Sequence, residues 1–191
     1  MTGMTIGFAL CGSFCTIDKA IIEIEHLANE GAKIIPIASE IVQTTSTRFG
    51  NAKDKLERIE KITESSILKT IKDVEPIGPK GLLDLLIISP CTGNTISKIA
   101  NGITDSVVTM AAKAHLRNNR PLLLGIATND ALSGSAINIA KLFNTKNVYF
   151  VPFGQDDPLK KPTSMICDFS KILPSAKSAL ENKQIQPILV S

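Results

Sequence analysis

Hydroxyl, amide and glycine residues gather at a few short points along this chain, and that chemistry suits holding an anion. In Cys11-Gly12-Ser13-Phe14 a glycine lets backbone N–H groups come close to a ligand, and a hydroxyl donates one more bond. An ordinary turn with a helix cap is the competing reading of the same residues. Ser39 stands after a second apolar run. The densest cluster is Pro90-Cys91-Thr92-Gly93-Asn94-Thr95, and Asn129 adds an amide within Thr128-Asn129-Asp130. Together these loops could hold a phosphate. Asn94 and Asp130 also fall at expected helix starts, where capping explains them equally well.

Other chemistries lack their residues. Neither G-x-G-x-x-G nor the P-loop pattern ending in Gly-Lys-Ser/Thr occurs, so a nicotinamide dinucleotide held by that motif, or ATP, is not expected on this chain. Cys11, Cys15, Cys91 and Cys167 form no C-x-x-C pair, and the two histidines, His26 and His115, fall on different helical segments. No metal site is expected. Cys91 has no histidine or base near it in sequence, which favours small apolar packing over nucleophilic work. Gly154 to Pro162, with Asp156-Asp157 and Lys160-Lys161, is too polar and long for a plain connector. It is expected to cover a site or meet a partner, with a solvated loop as the alternative.

Short apolar runs alternating with helical periods must position these loops. Strands are expected at Met4–Cys11, Ala32–Ala38, Leu82–Ser89, Leu122–Ala127 and Val148–Val151. Helices are expected from Ile17, capped by Thr16, to a stop at Gly31; near Ala52–Ile62; at Asn94–Asn101; at Ser106–Arg117, capped by Asp105; and at Asp130–Phe143. Ser39–Gly50 and Pro152–Pro162 read as loops, Ser65–Lys80 as ambiguous helix then loop, and Pro174 as the break in a kinked or divided last helix. The pattern predicts an α/β fold, a three-layer Rossmann-like sandwich with a mainly parallel sheet, formed by residues 1–191 as a single domain. In such sheets ligands bind beyond the carboxyl ends of the strands, where the four clusters fall.

With 191 residues, 43% of them hydrophobic, the chain is long enough to bury a core without cross-links. A net charge of +3, mixed in sign along the chain, with no Trp and one Tyr, gives neither the basic stripe nor the stacking platform of a nucleic-acid binder. No apolar run approaches the roughly 18 residues that span a bilayer, so no membrane partner is expected. A cytoplasmic location with reduced thiols is expected.

The Pro90–Thr95 cluster, followed by Lys98, Ala100, Gly102 and Asp105, resembles the flavoprotein family of FMN-binding cysteine decarboxylases. There a strand ends in Pro-Ala-Ser/Thr-Ala-Asn-Thr. Gly12-Ser13 is similar to that family's flavin-phosphate turn, Ser39 to its hydroxyl after the second strand, and Asn129 to the Asn of its Pro-Ala-Met-Asn loop. The resemblance implies FMN, or a phosphate at the same place, held by Gly12, Ser13, Ser39, Thr92, Gly93, Asn94, Thr95 and Asn129. It also implies trimer-based homo-oligomers. A narrower resemblance runs nearly end to end, through Ser89–Thr95, Thr104–Ser106, Met110–Ala114, Ala127–Leu132 and Val151–Pro158. It is to a branch from spore-forming bacteria that works as the second subunit of an oxidoreductase. That likeness implies a partner subunit carrying NAD(P), and a small dicarboxylate substrate, for which Arg48 would supply a planar clamp. A solvated loop cation is the competing reading of Arg48. No catalytic residue is assigned. The decarboxylase branch has a catalytic His between its second and third strands, and Ser39 to Pro90 contains none. A flavin prenyltransferase, which Cys91, Thr92 and Thr95 approximate, lacks its Gly-Ala-Ser-Gly opening here. An independent FMN enzyme therefore ranks third, below the two-subunit reading and below a non-catalytic regulatory subunit with a vestigial pocket.

Overall fold

A seven-stranded sheet runs through the centre of the computed structural model, which describes residues 1–190. β1 (Thr5–Leu10), β2 (Lys33–Ala38), β3 (Leu85–Cys91), β4 (Leu122–Thr128) and β5 (Val148–Phe150) are parallel and lie in the order β2-β1-β3-β4-β5. Every residue of β3 is buried. Near-continuous Ile and Leu runs of this kind belong to strands covered on both faces. The covering helices are α1 (Ile17–Asn29), α2 (Glu40–Thr44), α3 (Ala52–Thr63), α4 (Ile71–Val74), α5 (Ile77–Lys80), α6 (Gly93–Ala100), α7 (Val107–Leu116), α8 (Ala136–Phe143) and α9 (Ile172–Leu180). α1 packs with α3 and α9, and α7 packs with α4, α5 and α6, giving the expected three layers. Because β2 and β3 flank β1, the winding reverses between β1 and β3. That is where an open parallel sheet leaves a crevice at its carboxyl edge. No helix of the described residues is long and apolar enough to cross a membrane.

The largest departure from the sequence expectation is Pro152–Pro162. It is not a loop: β6 (Phe153–Asp157) and β7 (Lys161–Cys167) form an antiparallel hairpin. β7 joins the main sheet antiparallel to the end of β4, pairing Ala127 with Ile166 and Thr128 with Met165. β4 therefore forks, since its first half pairs with β5 through Leu122, Leu123 and Leu124. The last described residues then flank β6, with Val190 N–H donating to the Phe153 carbonyl at 3.1 Å.

Smaller departures have local causes. Ser39–Gly50 contains α2. Ser65–Lys80 resolves into a bridge from Leu68 to Ile37 followed by α4 and α5. Thr16 does not cap α1: a 3-10 turn, Phe14–Thr16, extends the helix backwards, and the Thr16 hydroxyl donates to the Ser13 carbonyl at 2.8 Å. Ser106, not Asp105, caps α7. It exchanges hydrogen bonds with Thr109, while Asp105 pairs with Lys98 at 2.9 Å. α8 begins only at Ala136, because the Asp130 carboxylate is engaged by the side chains around it. Pro174 breaks nothing, since it is the third residue of α9, where helix N–H groups have no internal acceptor anyway.

Candidate functional site

The loops after β1, β3 and β4, together with the β6–β7 hairpin, enclose a cleft of about 680 Å³. That is an ordinary volume for a cofactor or small-molecule site. At the first loop, Gly12 and Ser13 line the cleft with Cys15 and Thr16. A Cβ on Gly12 would stand 2.7 Å from the Ile41 Cγ2 methyl of α2, so a larger residue there requires the half-exposed Ile41 side chain to shift. The Ser13 N–H donates back to the Cys11 carbonyl at 2.8 Å and is not free for a ligand. Its hydroxyl lies 3.1 Å from Thr16 Oγ1, whose own proton goes to the Ser13 carbonyl at 2.8 Å. Phe14 and Cys15 begin the helical segment, where helix geometry provides N–H groups without internal acceptors.

At the second loop, Thr92 is the N-cap of α6 but its side chain makes no capping bond. Its hydroxyl lies 3.3 Å from that of Thr95, which in turn donates to Cys11 Sγ at 3.2 Å. Thr95 is thus buried as a tie between the ends of β1 and β3 and does not line the cleft. Burial pushes the Cys11 thiol up to about 11, with the Thr95 hydrogen bond working against the rise. Cys91 is fully buried, and desolvation, then its thiol neighbours Cys11 and Cys167, hold it well above the ordinary range. A thiol in that state packs and does not attack.

Gly93 and Asn94 open α6 against the third loop. Thr128 Oγ1 donates to Asp130 Oδ1 at 2.6 Å, and Ser135 Oγ lies 2.9 and 3.0 Å from the two carboxylate oxygens. This cluster presses on Gly93 so closely that a Cβ there would meet Asp130 Oδ1 at 2.6 Å. Asp130 sits at the first turn of α6, a favourable place for negative charge. Asn129 lines the cleft beside it, and its carbonyl accepts from Thr163 Oγ1 at 2.7 Å. Neither Asn94 nor Asn129 uses its side-chain amide in a hydrogen bond among the described residues, and neither caps a helix. The hairpin closes the cleft with Ser164, Met165, Ile166 and an ion pair, Lys161 Nζ to Asp156 Oδ2 at 2.5 Å. The Asp156 carboxylate raises the Lys161 ammonium above its ordinary value.

Of the residues singled out in the sequence, Gly12, Ser13, Thr92, Gly93, Asn94 and Asn129 come together in the cleft. Ser39 does not line it, although its hydroxyl is buried without a partner among the described residues. Arg48 lies beyond α2, its guanidinium 4.8 Å above the Phe49 ring, and is not part of the cleft wall. Cys15, Met165 and Ile166 join that wall without having been expected there, and Asp130 joins it with the loop the sequence singled out. Only the paired charges near Gly154–Pro162 signal the hairpin in the sequence. Among the described residues no group of His, Cys, Asp and Glu could hold a metal ion.

A parallel sheet reversing between β1 and β3, with hydroxyl and amide loops meeting at its carboxyl edge, defines a doubly wound α/β domain with a ligand cleft. The chain belongs to the Flavoprotein family, whose model matches residues 1–180. Within it the chain is 48% identical over 190 residues to the second subunit of dipicolinate synthase from Bacillus subtilis (strain 168), and the match covers 100% of this chain and 95% of that protein. The crystal structure of the corresponding dipicolinate synthase subunit from Bacillus halodurans C superimposes with a TM-score of 0.92 at 45% identity, covering 100% of this chain and 97% of that one. The FMN-dependent cysteine decarboxylase TvaF from thioviridamide biosynthesis shares the fold alone, with a TM-score of 0.68 at 19% identity over 94% of this chain and 99% of its own.

Proposed function

We propose that this chain is the second subunit of a dipicolinate synthase, working with a first subunit that carries NAD(P) to oxidise dihydrodipicolinate to dipicolinate for the bacterial spore. In this reading it works in the cytoplasm of the sporulating mother cell, and its cleft holds FMN or a phosphate. The observation that carries the reading is the meeting of Ser13, Thr92, Asn94 and Asn129 in one cleft, two of them amides with no internal partner. The full-length likeness to the second subunit of dipicolinate synthase supports the choice of substrate.

The residues present fit a flavin nucleotide. Neutral donors at helix starts suit a phosphate, and the free amides of Asn94 and Asn129 suit the polar edge of a ring. Gly12, Ser13 and Thr92 would hold the phosphate, with Gly93 giving the close approach of the third loop and Thr95 keeping β1 and β3 in place. When bound, FMN supplies hydride or electron transfer. This chain's own residues bind, orient and shield. Trimer-based self-association belongs to the same reading, and Leu132 and Ile137, 50% and 75% exposed beside the third loop, offer it apolar surface.

Two measurements test the reading. The purified chain should take up FMN and turn yellow, and should oxidise dihydrodipicolinate only once the NAD(P)-carrying partner is added. Activity of the lone chain would favour an independent FMN enzyme, and colourless protein that still activates the partner would remove the flavin. A Ser13→Ala, Asn94→Ala double variant should bind FMN at least about tenfold more weakly, two lost hydrogen bonds at about 1 kcal/mol each. Unchanged affinity for FMN and for phosphate would refute the site.

A further inference from the structure

The cleft has two ends of different chemistry. Around β1 and β3 the donors are neutral hydroxyls, amides and N–H groups. At the hairpin stands Lys161, the only Lys or Arg among the residues lining the cleft. Its ammonium rests on Asp156, and its side chain is 58% exposed, so it is free to turn. The strand beneath it is fixed: Thr163 Oγ1 bonds the Asn129 carbonyl at 2.7 Å, the Leu132 N–H bonds the Thr163 carbonyl at 3.0 Å, and β7 pairs with the end of β4. Met165 and Ile166 give the same wall an apolar surface against which a flat ring could lie.

We propose that Lys161 is the residue that recognises a carboxylate of the dicarboxylate substrate, and that Asp156 holds its ammonium until the substrate displaces it. The proposal rests on the dicarboxylate reading above and deepens it, giving to Lys161 the clamp that the sequence suggested for Arg48. Exchange is feasible because a solvent-exposed ion pair is weak, so a second carboxylate on an apolar wall can compete for the same ammonium. Asp156 then has a role that packing would not give it. It opposes dianion binding, and its removal strengthens the site that removal of Lys161 weakens.

The test is calorimetric titration of the full chain with pyridine-2,6-dicarboxylate and, for comparison, pyridine-2-carboxylate, each alongside an FMN titration. Lys161→Ala should weaken the dicarboxylate about tenfold or more and erase the preference over the monocarboxylate, while Lys161→Arg stays within about threefold of wild type. Asp156→Asn should tighten it about two- to fivefold. FMN affinity should move in none of these variants. Equal dicarboxylate affinity in Lys161→Ala and wild type overturns the proposal and leaves the substrate reading standing, as does a larger loss in Arg48→Ala. Failure of the wild-type chain to bind either acid, both alone and with the partner subunit added, overturns both.

Discussion

Acid should destabilise this protein through one buried imidazole. His115 on α7 is 1% exposed, with Nε2 2.8 Å from the Pro121 carbonyl oxygen at the start of β4 and Nδ1 without a partner among the described residues. Burial, against the pull of the Pro121 hydrogen bond and with help from the Arg120 charge, lowers it from the ordinary 6.5 to about 4. Because the folded value is the lower one, the neutral ring contributes its full stability above about pH 6.5, and that contribution is lost as pH falls toward about 4. The whole gap corresponds to about 3 kcal/mol. Between about pH 7.5 and about pH 4.5 the unfolded imidazole gains its proton while most of the folded ring does not, which removes about 2 kcal/mol. That is a large share of a typical domain's stability. Gln at 115 keeps an N–H donor for Pro121 and cannot titrate. Urea unfolding followed by circular dichroism at the two pH values should therefore show His115→Gln losing about 2 kcal/mol less than wild type. The comparison cancels the carboxylates common to both proteins. Equal losses in the two would refute the assignment of a neutral, buried His115.

Two glycine substitutions probe the walls of the cleft and the strand behind them. Gly93→Ala sets a methyl 2.6 Å from Asp130 Oδ1 and Ser135 Oγ, atoms locked to each other. It should cost about 1–3 kcal/mol in urea unfolding and weaken FMN binding, and a neutral effect on both would contradict the close approach of the third loop. Gly154→Ala drives a methyl into the Val190 carbonyl oxygen. It should release residues 188–190 from β6, which limited proteolysis or hydrogen exchange would detect as new exposure at the end of the chain with α1 and α7 unchanged.

The parallel core was legible in the sequence because its signals are local. Leu85–Cys91 is apolar nearly throughout, and Gly31 and Gly102, with φ of +84° and +70°, stop α1 and α6 where the sequence predicts. The residues of the loops after β1, β3 and β4 followed for the same reason: in a parallel sheet every strand's carboxyl end lies on one edge, so a hydroxyl or amide just after an apolar run is already placed. What escaped depends on partners distant in sequence. Phe153–Asp157 is a short, polar strand whose only reason to extend is its pairing with Lys161–Cys167 and with Val190. Asp130 looks like a helix cap by position, yet it turns to Thr128 and Ser135, and the helix waits until Ala136. Arg48 attracted attention by chemistry alone, and α2 carries the chain onward so that it stacks on Phe49 outside the cleft wall.

The fork in β4 explains why a fold with few charged residues at its strand ends can still offer a charged site. The strand ends of the parallel sheet supply N–H groups, hydroxyls and helix starts on one edge, with Asp130 as their charged group in the cleft wall and no cation. By giving only Leu122–Leu124 to β5 and keeping Ala127 and Thr128 for β7, β4 turns an antiparallel hairpin onto that edge. The hairpin brings side chains from a segment some thirty residues downstream over the loops after β1 and β3. Ligand chemistry is thereby divided between elements that differ in their freedom to vary. The loops at the β1–β3 reversal are constrained by the close approach of Asp130, Ser135 and Thr128 to Gly93 and by the Thr95–Cys11 tie. Lys161 and Asp156 sit on an exposed ribbon where a change of side chain disturbs no core. On the proposed function, substitutions there should alter which acid binds while leaving FMN affinity unchanged, and paired titrations with the acid and with FMN would check it.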